Sequence, residues 1–403
     1  MKKSLKLNIP LLYAIAFFGG LIFWVGIEKL FLLSIGGDGF DVSLNAVIFI
    51  AIVLALDIPT GALADRWGRK KLMSTGLSSL LFASLTYGFA ESPAVYLFGT
   101  VFFAIALATI NGATQALTYD TLKELNSHDS YNKTYGRITA ALAAGAGSGI
   151  LLSGFLAHEF GFRFNFRIAL IPTLISLSFS LLLTEPSHHK KENDVAKLKA
   201  AIKESASTIR RSSPLIATAM LLLTVRTFQW MSDNYSQLAF NKFGIQLSLM
   251  GVVSFLAVGG GAIGRLVAHR FASHARAIVL IMIGLFACTG FAPEPVALVG
   301  FITFYGFNQL LENICETDIQ KHLPSHIRAT ATSVFSFFST LLVIPFGLIT
   351  GVLIRQYDVL AAFKLATVLG ALTLGWWLIK GSKNLLISEP SNQPPTDLME
   401  PIQ

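Results

Sequence analysis

Gly61-Ala62-Leu63-Ala64-Asp65-Arg66-Trp67-Gly68-Arg69-Lys70-Lys71-Leu72 packs four cations, one carboxylate and two glycines between two apolar runs. Small residues let two helix ends approach closely, and Gly68 is free to adopt a positive φ. The stretch therefore reads as a tight turn whose cations stay in water. Basic anchoring at a surface would explain the cations, but not Gly and Asp at these spacings.

The runs on either side, 44–64 and 72–90, are each about as long as a helix needs to cross a bilayer core, roughly 20 residues. Composition extends that reading to the whole chain. Of 403 residues, 53% are hydrophobic and 13% charged, about half the charge a water-soluble domain of this size carries. The mean hydropathy is +0.62. A water-soluble fold and intrinsic disorder are both excluded, and an all-α membrane protein remains.

Twelve segments qualify as spans: 9–35, 44–64, 72–90, 94–117, 138–157, 166–183, 215–240, 249–267, 278–291, 296–314, 330–354 and 360–379. The lysines before the first span resemble a signal-peptide n-region, but the run is long and has no small-x-small cleavage site, so it reads as a retained helix. With an inner N-terminus, 24 of the 31 Lys and Arg fall on the inner side, four on the outer and three within spans. The net charge of +8 thus reflects topology with both termini cytoplasmic, not nucleic-acid binding. Cys288 and Cys315 lie in apolar stretches and suggest neither a disulfide framework nor a metal site.

One long hydrophilic interruption divides the spans six and six. The expected organisation is a six-helix bundle over 1–184, a linker over 185–213, a second six-helix bundle over 214–383 and a disordered tail over 384–403. Within the linker, 195–209 has helical periodicity that fits either a membrane-surface helix or a solvated one. Internal similarity suggests duplication. Asn111, Gln115, Tyr119, Asp120 and Lys123 end the fourth span as Asn308, Glu312, Glu316, Asp318 and Lys321 end the tenth, and Arg137-Ile-Thr-Ala then parallels Arg328-Ala-Thr-Ala. Two joined repeats in one membrane chain suit alternating access about a midplane site.

The opening stretch resembles the signature loop of the major facilitator superfamily, G-x-L-A-D-R-x-G-R-K-x-x-L, at every specified position. The resemblance implies a secondary active transporter of twelve helices with a gating lock built from Gly61, Asp65, Arg66, Gly68, Arg69 and Asp120. In it, Asp65 would face the start of the eleventh helix near Ala329–Thr330, and Arg69 would pair with Asp120. The second half departs from the pattern, with Ala268 in place of the Asp. The Arg that drug/proton antiporters often carry four residues before a Gly is Ala108 here, and Gly145-Ala146-Gly147-Ser148-Gly149 lacks their proline. Antiport therefore rests on the overall likeness.

Charges within spans mark function by default, because they are expensive unless paired or hydrated. Arg226 lies about 16 Å into the seventh run and shares a stripe with Gln229, Trp230, Asp233 and Gln237. It is read either as a substrate or coupling residue, or as the partner of a buried acid such as Asp233. Asp57, two residues before Pro59, either takes a proton or satisfies the backbone that proline leaves unpaired. Glu28 is the first choice for a titrating carboxylate, with Arg226 as its switching partner. Its neighbour Lys29 is expected to face elsewhere, since adjacent helix positions diverge by about 100°. Glu312 and Glu316 are read as pairing with Lys321 or an inner-loop Arg, or else as facing the cavity. Asn111, Gln115 and Asn308 are candidate hydrogen-bonding groups. No nucleotide loop, nucleophile motif or zinc motif occurs, so an enzyme is not expected and no cofactor beyond a proton gradient is implied.

These observations point to a monomeric transporter in a bacterial-type inner membrane, with a small molecule, protons and the bilayer as partners and no nucleic acid. Proton-coupled export of small amphipathic compounds leads. The alternatives are a proton symporter or uniporter importing an anionic metabolite, and a non-transporting receptor of the same fold.

Overall fold

The computed structural model describes residues 2–187, 212–323 and 328–381. The side chains of Asp57, Asp65 and Arg66, the surroundings of Gly61, the amphipathic 195–209 and the tail lie outside what is described, as does most of the linker. Fourteen α-helices of seven or more residues occur among the described residues. The first half holds α1 (Asn8–Gly20), α2 (Glu28–Ser34), α3 (Gly39–Trp67), α4 (Arg69–Gly88), α5 (Pro93–Glu124), α6 (Tyr131–Phe160), α7 (Phe162–Ile168) and α8 (Leu170–Leu182). The second holds α9 (Ser213–Lys242), α10 (Met250–Phe271), α11 (Ala275–Phe291), α12 (Glu294–His322), α13 (Arg328–Gln356) and α14 (Val359–Trp376).

Local chemistry sets the helix ends. Asp38 accepts from the amides of Phe40 and Asp41 while Asp41 returns a bond to Asp38 N, a capping box that starts α3. Pro93 opens α5, where its missing N–H is no loss, and Asp358 caps α14. Between α3 and α4 stands Gly68 alone, with φ +95° and ψ 147°. The tight turn expected from the sequence is thus a single residue in a region open essentially to glycine.

Each of the twelve expected spans corresponds to a helix or a broken helix pair. Among the described residues, eight segments are long and apolar enough to cross a membrane on their own, one of them running through α10 and α11 as Leu247–Phe291. The shortfall has physical causes. α4 is diluted by Ser, Thr, Gly and Lys, and α12 by Asn, Gln and acidic residues.

The first span, expected as one helix over 9–35, is broken at 21–27. The freed carbonyls are caught by side chains. Asn165 Nδ2 donates to Phe23 O at 2.7 Å and Gln237 Nε2 donates to Val25 O at 2.8 Å. Gly145 lies directly against the Phe17 carbonyl, an approach a Cβ would block, so α1 and α6 nearly touch backbone to backbone. The sixth span is likewise divided, at Ala169.

The outer surface is apolar: Phe98, Leu181, Ile263 and Leu266 are all more than half exposed. In a molecule with these spans such side chains meet lipid, which makes this a multi-pass membrane protein. Where the halves meet, α3 packs on α13 and α6 on α10. Several cross-half contacts lie at the face away from the termini. Asp38 Oδ2 is 3.0 Å from Arg355 Nε, and Tyr235 OH bridges Ser43 Oγ at 2.7 Å, in the other half, to Thr350 Oγ1 at 2.9 Å.

Candidate functional site

The polar residues at depth form two tiers. In the upper tier, farther from the termini, α2 begins at Glu28 just after the break. Lys29 Nζ lies 3.0 Å from Glu28 Oε1 and donates to Asn45 Oδ1 at 2.6 Å. This corrects the expectation that the two neighbours face apart: at a helix start the long lysine side chain folds back. Asn45 Nδ2 then donates to Thr100 Oγ1 at 2.5 Å, and Tyr87 OH to the same oxygen at 3.1 Å. The Lys29 side chain is 6% exposed, so this chain of partners keeps a buried cation satisfied.

The pair borders a cavity of about 320 Å³ walled by Phe49, Phe103 and Trp230 and closed from the second half by Asp233. Asp233 is exposed to that space and also lines a neighbouring cavity of about 230 Å³ with Tyr305, Ser236 and Gln237. Its carboxylate accepts from Gln229 Nε2 at 2.8 Å and from the Tyr305 hydroxyl. Asn308 Nδ2 donates to Gln229 Oε1 at 2.8 Å, extending the chain to a fully buried amide. Among the described residues no Lys or Arg forms an ion pair with Asp233. With Glu28 and Lys29 paired, Asp233 is the acid of the upper tier that has no ion pair among the described residues.

In the lower tier, Arg226 is saturated. Nη2 donates to Glu316 Oε1 at 2.6 Å, Nε to Glu312 Oε1 at 3.3 Å, and Nη1 to Ser339 and Ser336 at 3.1 and 3.2 Å. Its guanidinium lies 5.4 Å from the centre of the Phe335 ring. Arg265 adds a second cation, bonded to Gln309 and 3.4 Å from Glu312 Oε2. Two cations balance two carboxylates. Arg226 therefore pairs with neither Asp233 nor Glu28, and Glu312 and Glu316 are held by Arg226 and Arg265 rather than by Lys321. The shared stripe splits: Trp230 and Asp233 line the upper cavity, while Arg226 turns toward α12 and α13.

Of the residues expected to form a gate, Arg69 and Asp120 meet beside the turn at Gly68. Arg69 pairs with Asp120, as the resemblance implies, and its Nη1 donates to Ala116 O at 3.3 Å. Glu185 accepts from the Arg69 and Lys70 amides at 2.7 and 2.8 Å, capping α4 where Gly68 leaves room. Asn111 lies apart from both tiers, in an apolar cavity of about 340 Å³ within the first half, and Gln115 is exposed.

Sequence reasoning missed Asn45, Thr100, Tyr305 and Glu185 as partners, whereas Arg265 is one of the inner-side arginines it offered to Glu312. Tyr305 was readable, because it continues the Asn308, Glu312 and Glu316 stripe at helical spacing. Asn45 and Glu185 act through contacts distant in sequence, which no local signal announces.

Charged tiers enclosed by membrane-spanning helices suit a membrane transporter. Residues 11–348 match the family model of the Major Facilitator Superfamily, and the chain belongs to that family. It is 23% identical over 396 residues to multidrug resistance protein 1 of Bacillus subtilis (strain 168), covering 93% of this chain and 97% of that protein. It is 22% identical over 232 residues to the class E tetracycline resistance protein of Escherichia coli, covering 54% and 56% of the two chains. The fold is similar to the solved nucleoside transporter NupG, with a TM-score of 0.72 at 14% identity over 94% of this chain and 99% of that one. It is also similar to the D-xylose-proton symporter, with a TM-score of 0.64 at 13% identity over 94% and 98%.

Proposed function

We propose that the protein exports small amphipathic compounds in exchange for protons, by alternating access in a bacterial inner membrane. Asp233 carries this reading: it is a carboxylate with no ion-pair partner among the described residues, in a cavity between the halves that has aromatic walls. A proton or a cationic or hydrogen-bonding compound can each satisfy it, and competition between them couples the two fluxes. Asp233 thereby takes the coupling role first assigned to Glu28, which is paired with Lys29. Phe49, Phe103 and Trp230 supply an apolar bed for flat compounds. Asp57 and Asn111 remain candidate secondary contacts along the path.

Export is favoured by the likeness to proteins named for resistance to drugs and to tetracycline, which expulsion would confer. In this scheme 1–184 and 214–383 rock as two bundles about the linker, the protein works as a monomer, and both termini are cytoplasmic. Import of an anionic metabolite would draw on Arg226 at mid-depth, and that cation is engaged by Glu312 and Glu316. The test is Asp233→Asn in proteoliposomes. It should bind compound without pH-gradient-driven flux, and unaltered coupling would refute the role.

A further inference from the structure

The opening stretch holds two cations that the gate does not use. Arg69 is engaged by Asp120, and the Glu185 oxygens accept backbone amides. Among the described residues the ammonium groups of Lys70 and Lys71 have no acidic partner. With Trp67, Ser74, Thr75 and, from α8, Leu181, they line an open groove of about 450 Å³ at the face of the termini. Trp67 is 54% and Leu181 59% exposed, so this rim turns toward the bilayer. Ser74 Oγ lies 2.9 Å from Ser180 Oγ, joining the groove's two walls.

We infer that this groove binds one anionic phospholipid of the cytoplasmic leaflet. The two lysines face its phosphate, the Thr75 hydroxyl can donate to it, and an acyl chain runs down past Leu181. Three features select a lipid over a free anion. The membrane-side wall is aliphatic and exposed, the tryptophan sits where interfacial aromatics anchor, and the expected topology puts this face against an anionic leaflet. A zwitterionic lipid carries no net charge to match the two ammonium groups.

The test uses the full chain, stripped of lipid in a neutral detergent and titrated with phosphatidylglycerol, phosphatidylcholine or inorganic phosphate. Binding is read by native mass spectrometry and by the shift in melting temperature. Phosphatidylglycerol should bind once, well ahead of phosphatidylcholine, and phosphate alone should not raise the melting temperature. The Lys70→Ala/Lys71→Ala variant should bind about thirtyfold more weakly, and Lys70→Arg/Lys71→Arg should stay near the wild type. If the alanine variant melts lower without lipid, Lys70→Gln/Lys71→Gln replaces it. Equal binding of both lipids, unchanged binding by the neutral variants, or phosphate as effective as lipid would each overturn the proposal.

Discussion

Gln237 and Lys29 meet across the boundary between the halves: the Lys29 amide donates to Gln237 Oε1 at 2.8 Å, while Gln237 Nε2 donates to Val25 O. One side-chain amide from α9 thus replaces two backbone bonds lost where the first span unwinds. It also fixes the residue that neutralises Glu28. Separation of the halves at this face would have to break both bonds.

Gln237→Ala should accordingly lower stability by about 1–3 kcal/mol, because two buried backbone groups lose their partners. It should also favour opening of this face. Thermal melting checks the first effect, and the distance between spin labels at positions 37 and 357 checks the second. An unchanged melt and distance would show that water replaces the amide without loss.

Gly68→Ala should destabilise by about 1–3 kcal/mol, since φ +95° is strained for any side chain. The added Cβ would also lie 2.9 Å from Glu185 Oε2 and disturb the cap on α4. Denaturant or thermal unfolding of the variant reads this directly. Glu185→Gln should cost less, because an amide oxygen still accepts one bond.

Arg226→Gln should be severe, about 3–5 kcal/mol, because it leaves Glu312 with Arg265 alone and Glu316 with no ion pair among the described residues. A double-mutant cycle of Arg226→Gln with Glu316→Gln should show a coupling of at least about 1 kcal/mol. Additive effects would mean the 2.6 Å contact contributes nothing of its own.

Asp65→Asn should slow transport while expression holds, if the carboxylate faces the start of α13 as the family resemblance implies. Flux per molecule of purified protein measures this, and an unchanged rate would remove Asp65 from the gate.

The sequence announced the fold through features that repeat or have a fixed period: apolar runs of bilayer length, one-sided cations and the turn around Gly68. It announced Arg69–Asp120 only through family likeness. What it concealed was pairing. Periodicity put Arg226 and Asp233 on one stripe, yet 10.5 Å of helical rise separates a saturated ion cluster from an uncompensated carboxylate. Lys29 looked unable to reach Glu28 because the first span was read as one continuous helix, whereas the break at 21–27 puts both residues in the first turn of α2, where the lysine folds back. Such breaks depend on distant side chains such as Asn165 and Gln237, so local sequence does not signal them.

Flux in proteoliposomes decides whether export is coupled to protons. Purified protein is reconstituted, a pH gradient is imposed, and a panel of amphipathic compounds is followed together with proton movement. The account predicts that at least one cationic or hydrogen-bonding aromatic compound moves against its gradient as protons move the other way, and that Asp233→Asn abolishes the coupling. Compound flux that ignores the pH gradient, or compound and protons moving in the same direction, would contradict it.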